Sequence, residues 1–161
     1  MSVTDPVDWR LPRAGGCRCG ALRFSITLPP LATVACHCRG CQQMSASAFS
    51  LTALVPEAGF SVVAGRPIRG GLRGDLEHFH CGECLTWTFT RPPGMGFVNV
   101  RAVLLDDPSR FRPYAETYAS ERLPWATTPA VRSFERFPPE AELPGLLEEF
   151  ARLAREQGPW L

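Results

Sequence analysis

Seven cysteines constrain this chain more than any other feature. They fall in three tight groups, Cys17-Arg18-Cys19, Cys36-His37-Cys38-Arg39-Gly40-Cys41 and Cys81-Gly82-Glu83-Cys84. Thiols one to three residues apart are poorly arranged for structural disulfides and well arranged to grip a soft metal ion. Seven also divides into four and three. Four thiolates close a tetrahedral zinc site, whereas three leave a position open for chemistry.

Zinc sites with four cysteines usually join two close pairs that are distant in sequence. Cys17/Cys19 and Cys81/Cys84 are such pairs, each beside an expected strand. If those strands are neighbours, the pairs meet at one end, and metal binding there counts toward folding. Cys36, Cys38 and Cys41 remain as a triad. Three thiolates take Zn²⁺ to a net charge near −1, so bound water is less acidified than the pKa of about 7 reached in hydrolytic zinc enzymes. An incoming thiol is a soft ligand that zinc readily holds as thiolate. The triad thus suits thiol activation: addition of sulfur to an electrophilic carbon such as an aldehyde, or the reverse cleavage. Other readings stay open. His78 or His80 could complete the triad as a second closed site. An iron–sulfur cluster wants four ligands, and a redox pair at Cys81/Cys84 lacks the surrounding βαβ pattern.

Composition narrows the classes. With 161 residues and 45% hydrophobic content, the chain can build one core without relying on metal alone. The formal charge is +1, and seven thiolates with two zinc ions would carry it to −2. Neither value fits a nucleic-acid binder. All 17 basic residues are arginines, so lysine Schiff-base chemistry and a Walker-type phosphate loop are excluded. No apolar run is long enough to span a membrane, and Met1–Trp9 lacks the marks of a secretory signal. The expected location is cytoplasmic, where reducing conditions keep thiols free for metal.

Sixteen prolines and fourteen glycines favour short strands and turns. Strands are expected at Ala21–Thr27, Ala48–Val55, Phe60–Ala64, Leu85–Thr90 and Phe97–Val100, and a short helix after Cys41 at Gln42–Ala46. Near the C-terminus, Leu143, Leu146, Leu147, Phe150, Leu153 and Ala154 recur at helical spacing. Pro144 fits a first turn, and Gly158-Pro159 ends this amphipathic helix. It docks on its own domain or at a homodimer contact.

The chain resembles the glutathione-dependent formaldehyde-activating (Gfa-like) family, also called the CENP-V/GFA domain family. The resemblance rests on Gly15–Gly20 leading into Leu22-Arg23-Phe24, on Cys36–Cys41 and on Phe79–Cys84. Phe97–Arg101 and Leu104–Asp107 add to it. It implies a mostly β fold of small antiparallel sheets organised around a structural zinc, a β-tent, over residues 9–137; the amphipathic helix makes 138–161 a C-terminal helical extension, packed on that domain or at a dimer contact. It implies two zinc ions per chain, with Cys17, Cys19, Cys81 and Cys84 structural and Cys36, Cys38 and Cys41 at the reactive metal. It also implies a carbon–sulfur lyase adding glutathione to formaldehyde. Leu85 stands where the family often has glycine, and Gln42-Gln43 where basic residues often follow the triad.

Around the metals, His80 or His78 is the candidate proton carrier, since histidine titrates near neutral pH. Arg39 is the candidate partner for a substrate carboxylate or for the triad's own charge. His37, between two ligands, should point away from the metal, toward the surface or into a supporting role. Trp125 is read as core, with a cover over the site as its alternative. A small thiol and an aldehyde are the expected partners. Against this stand a non-catalytic zinc-stabilised binding module and a zinc-storage or sensing protein.

Overall fold

A computed structural model describes residues 8–71 and 74–159. The stretch read for a secretory signal lies almost wholly outside them, as do the last two residues of the C-terminal extension. Short strands dominate, as the spacing of glycine and proline predicts. In chain order they are β1 (Arg13–Gly16), β2 (Arg23–Ile26), β3 (Ala32–Cys36), β4 (Ser50–Pro56), β5 (Phe60–Ala64), β6 (Pro67–Gly70), β7 (Glu77–Cys81), β8 (Trp87–Arg91), β9 (Phe97–Arg101), β10 (Ala115–Thr117) and β11 (Arg132–Ser133). Two helices interrupt them, α1 (Arg39–Ser45) and α2 (Leu143–Gln157).

The strands form two sheets, one of three strands in the order β1-β2-β5 and one of eight in the order β11-β10-β3-β4-β9-β8-β7-β6. The small sheet is antiparallel. The large one is mixed, because β10 runs parallel to both β3 and β11. Gly15 lets β1 sit close: a Cβ there would come within 2.5 Å of the Phe24 ring and 2.6 Å of the Leu104 carbonyl oxygen.

Residues paired across strands share a face, so the register sorts the large sheet into two surfaces. One carries a row through Ala53, Val100, Phe89 and Phe79. This is the core side, where Phe60 of the small sheet lies 4.8 Å from Phe89 and 5.7 Å from Phe24. The other carries Thr117, Cys36 and Ser50 in one row, Val34, Thr52 and Arg101 in the next, and Asn99, Thr90 and His78 beyond. This second face positions the triad.

The C-terminal helix forms as its apolar period predicts, with proline in its first turn and Gly158 at its end. Its buried face packs Phe150 against Trp9 and Tyr114, with ring centroids 6.1 and 5.5 Å apart. Glu149 pins it further, accepting a 2.5 Å bond from the Tyr114 hydroxyl and a pair of bonds from Arg132. No helix among the described residues is long and apolar enough to cross a membrane.

Candidate metal centre

The outer cysteine pairs converge. The sulfurs of Cys17, Cys19, Cys81 and Cys84 all lie within 4.8 Å of one another, with Cys17 and Cys19 3.4 Å apart and Cys19 and Cys81 3.9 Å apart. They meet by a route the sequence does not suggest. The flanking strands β2 and β8 belong to different sheets, so they are not neighbours. Instead the turn after β1 meets the turn after β7, and the Arg18 amide donates to the Thr86 hydroxyl across the gap at 3.3 Å.

The two turns share one construction. In each, the first cysteine's amide closes onto the carbonyl five residues ahead, Cys17 to Leu22 and Cys81 to Thr86, both at 3.0 Å. The first sulfur then accepts backbone N–H bonds, Cys17 from Leu22 at 3.2 Å and Cys81 from Glu83 at 3.4 Å. Such donors stabilise negative charge on sulfur, as metal binding requires. Cys84 is held down to about 5 by the Thr86 hydroxyl and backbone.

The triad forms a second cluster. The Cys36, Cys38 and Cys41 sulfurs also lie within 4.8 Å of one another, and no fourth His, Cys, Asp or Glu joins them among the described residues. Cys36 ends β3, Cys38 caps α1, and the Cys41 amide donates to the Cys38 sulfur at 3.3 Å. The expected helix therefore starts earlier, at Arg39, because this cap nucleates it within the triad. Hydrogen bonds from Cys38 and Cys41 lower Cys36 to about 2, while Cys36 and Cys38 together push Cys41 far up. A metal entering here displaces protons and replaces that sharing with its own charge. Both donor sets fit zinc: soft sulfurs in reach of one centre, with N–H donors already aimed at them.

The loop around the triad is rigidly held. Gln42 is buried, and its amide nitrogen donates to the carbonyls of His37 at 2.6 Å and Glu121 at 3.0 Å. Its amide oxygen accepts from the Arg39 guanidinium at 2.7 Å. The glutamine standing in place of a basic residue thus staples the loop, and Arg39, an exposed residue, spends one donor on it. Arg39 also borders a shallow groove of about 410 Å³ with Gln43, Leu123 and Trp125. Trp125 is 73% exposed, which overturns its reading as core: the short Leu123–Ala126 turn holds only Ala126 inward.

His37 does point away from the triad, but inward. It is fully buried, its Nε2 3.0 Å from a Glu116 carboxylate oxygen, so the surface alternative fails. His78 and His80 share the triad's face of the sheet. His78 Nδ1 bonds the Thr90 hydroxyl at 2.9 Å, and its ring meets Trp87 edge-on at 5.5 Å. Burial lowers its pKa and the charge of Arg101 lowers it further, while Cys38 acts the other way. His80 is lowered by burial alone, and Gly70 passes so close that a Cβ there would lie 2.8 Å from its Nδ1. Of the two histidines, His78 is the one the triad's charge reaches.

Three residues beside the triad escape sequence reasoning. The Ser50 and Thr117 hydroxyls flank Cys36 in register; they are buried without a formed hydrogen bond, yet favour the thiolates of Cys41 and Cys36 respectively. Arg101 is buried with its guanidinium 4.1 Å from the centre of the Trp87 ring. Burial pulls its pKa down to about 10 against the charges of Cys41 and Cys36. The available signal is an arginine closing a short strand whose alternate residues Val98 and Val100 are buried, a pattern that asks for a buried anion.

Comparison with known proteins identifies the family. A family model described as glutathione-dependent formaldehyde-activating enzyme matches residues 12–121, a span holding all seven cysteines and Arg101. Among solved structures, a crystal structure of a Rhodobacter sphaeroides protein is similar at 22% identity and a TM-score of 0.46, over 58% of this chain and 87% of that one. No curated protein matches the sequence. With the family model covering most of its length, the chain belongs to the glutathione-dependent formaldehyde-activating enzyme family.

Proposed function

We propose that this protein is a zinc-dependent carbon–sulfur lyase that joins a thiol to a small aldehyde, or releases it, with glutathione and formaldehyde as the family's model pair. The observation that carries this reading is the unequal donor count, four sulfurs in one cluster and three in the other. Cys17, Cys19, Cys81 and Cys84 hold a structural zinc, and Cys36, Cys38 and Cys41 hold the reactive one, two ions per chain. Bound at the triad, zinc supplies a soft centre at which a thiol sheds its proton. Residues 9–137 form the metal-bearing domain and 138–161 its helical extension, in a protein of the reducing cytoplasm.

The reaction forms one carbon–sulfur bond, and the thiol's proton ends on the former carbonyl oxygen. His78 has the placement to carry that proton, being half-buried on the triad's face, where burial favours its neutral form. His80 stands behind it on the same strand as a second candidate. Arg39, at the edge of the groove beside α1, is a candidate partner for a carboxylate on the thiol substrate.

The test is NMR exchange among thiol, formaldehyde and hemithioacetal, with zinc-loaded protein, metal-stripped protein and none. Faster exchange with the loaded protein alone is expected for at least one of several thiols. If every thiol exchanges at the spontaneous rate, a binding or zinc-storage role replaces the enzyme.

A further inference from the structure

Arg101 is a buried cation without a buried anion. Removing a guanidinium from water is costly unless an opposite charge compensates it. No carboxylate among the described residues pairs with it; its Nη2 donates to the Asn99 carbonyl at 3.3 Å, and its Nε is buried with no partner. Trp87 supplies a face for the flat guanidinium, 4.1 Å away. That contact fixes orientation but does not neutralise a full charge. The group of potential anions that shares its face of the sheet is the triad, whose Cys36 stands two strands away in register.

Register explains how they come together. Cys36 pairs with Ser50, and Thr52, two residues along the same strand, pairs with Arg101. All four side chains therefore leave one face of the sheet, with β4 alone between the cysteine strand and the arginine strand. The support is deliberate on the far side too. A bulge in β8 opposite Phe79/His80 turns Trp87 onto this face, where its indole N–H donates to the Thr90 hydroxyl at 3.1 Å. Arg101 is thus held by its strand below and an anchored aromatic above.

We propose that Arg101 is the counter-charge of the triad centre, and the group that lets this centre take a fourth, anionic sulfur. This rests on reading the triad as a metal site. A divalent metal with three thiolates carries a net charge near −1, and a fourth thiolate doubles it. One fixed guanidinium offsets the first charge and lowers the cost of adding the second, most strongly where it is already oriented and dry. Arg101 touches neither the reacting carbon nor the metal; it is a positioning residue acting through charge.

The experiment loads the full chain with cobalt(II), whose sulfur-to-metal absorption reports each site, and strips it by chelator competition. The protein carrying Cys38→Ser identifies which step belongs to the triad. Arg101→Met and Arg101→Gln are expected to weaken the triad step by roughly 10–100-fold, the usual effect of losing a residue that supports metal ligands, and to leave the four-cysteine step unchanged. Arg101→Lys, which keeps the charge, should stay within about threefold of the parent. A variant that fails to fold loses both steps, and the remaining neutral variant then gives the reading. Neutral variants that hold triad cobalt as tightly as the parent would overturn the proposal, as would a lysine variant as weak as they are.

A second titration adds 2-mercaptoethanol or glutathione to the cobalt protein. The parent should show a shifted spectrum, and Arg101→Gln should need at least about tenfold more thiol for the same shift, a difference of about 1.4 kcal/mol. Equal thiol response would overturn the fourth-sulfur role. A parent with no thiol response defeats the enzymatic reading instead, and the metal affinities still decide the role of Arg101.

Discussion

Glu116 gathers four partners inside the protein: His37 at 3.0 Å, Arg122 and Ser133 at 2.8 Å, and Thr128 at 2.9 Å. Burial works against its charge, yet hydrogen bonds from Ser133, Thr128 and His37, with Arg122 nearby, keep its pKa below the usual glutamate value. A carboxylate depressed in the folded state stabilises above its unfolded pKa, and that contribution fades as pH falls through the folded value. Denaturant titrations should therefore show stability dropping below about pH 4.5, with Glu116→Gln flattening the drop. Glu116→Ala leaves the buried His37 without its hydrogen-bond partner and should cost about 1–3 kcal/mol in the same measurement. Leu85 offers the opposite case. It sits at φ 59° in the turn that closes the Cys81 loop, exposed and without a packing reason to be leucine. Glycine, which the family often has there, escapes that strain. Leu85→Gly should raise stability by about 0.5–1 kcal/mol in thermal or chemical unfolding, after its own entropic cost.

At the scale of elements, α2 is fastened by Phe150 and Ala154 in the core, with Leu146 and Leu153 packed against it, and by the carboxylate of Glu149. Phe150→Ala should cost about 3–5 kcal/mol by denaturant titration and release the contacts to Trp9 and Tyr114 together. This helix was legible in the sequence, because a 15-residue amphipathic period needs no knowledge of what covers it, although Leu147 of the expected apolar face is exposed. Phe60–Ala64 was legible for a similar reason, being an apolar run with glycine on either side. The expected strand Leu85–Thr90 begins only at Trp87, since Leu85 is committed to the metal-loop turn. β10 and β11, three and two residues long, carry no local signal. They exist because β3 offers a parallel edge some eighty residues away in sequence, a contact that periodicity cannot report. The division of the cysteines into a set of four and a set of three was readable by spacing alone. Their meeting place was not, because it depends on two turns in separate sheets.

For the whole molecule, the two clusters carry different structural weight. The four-cysteine cluster joins the turn after the small sheet's β1 to the turn after β7 of the large sheet, whereas the triad lies within one strand–helix junction. Cys81→Ser is expected to destabilise by about 3 kcal/mol or more, a fall of roughly 10 °C in Tm. Cys38→Ser should lose one metal by native mass spectrometry while keeping the parent's circular dichroism. Equal damage from the two changes would contradict the assignment of a structural and a reactive site. The large sheet also divides labour between its surfaces, apolar toward the small sheet and polar toward the triad. The bulge in β8 is what lets Trp87 cross from one to the other, and it is made by the single extra residue Thr88, whose hydroxyl donates to the Phe79 carbonyl at 3.0 Å. If Thr88 paired in regular register instead of being skipped, Trp87 would stand two residues from Phe89, share its core face and leave the guanidinium of Arg101 uncovered. Which surface receives the indole is therefore decided by a residue that faces neither ligand nor solvent: Thr88, fully buried and tied to the Phe79 carbonyl, keeps the strand out of step, and a change that freed it to pair would turn the chemistry of that surface inward.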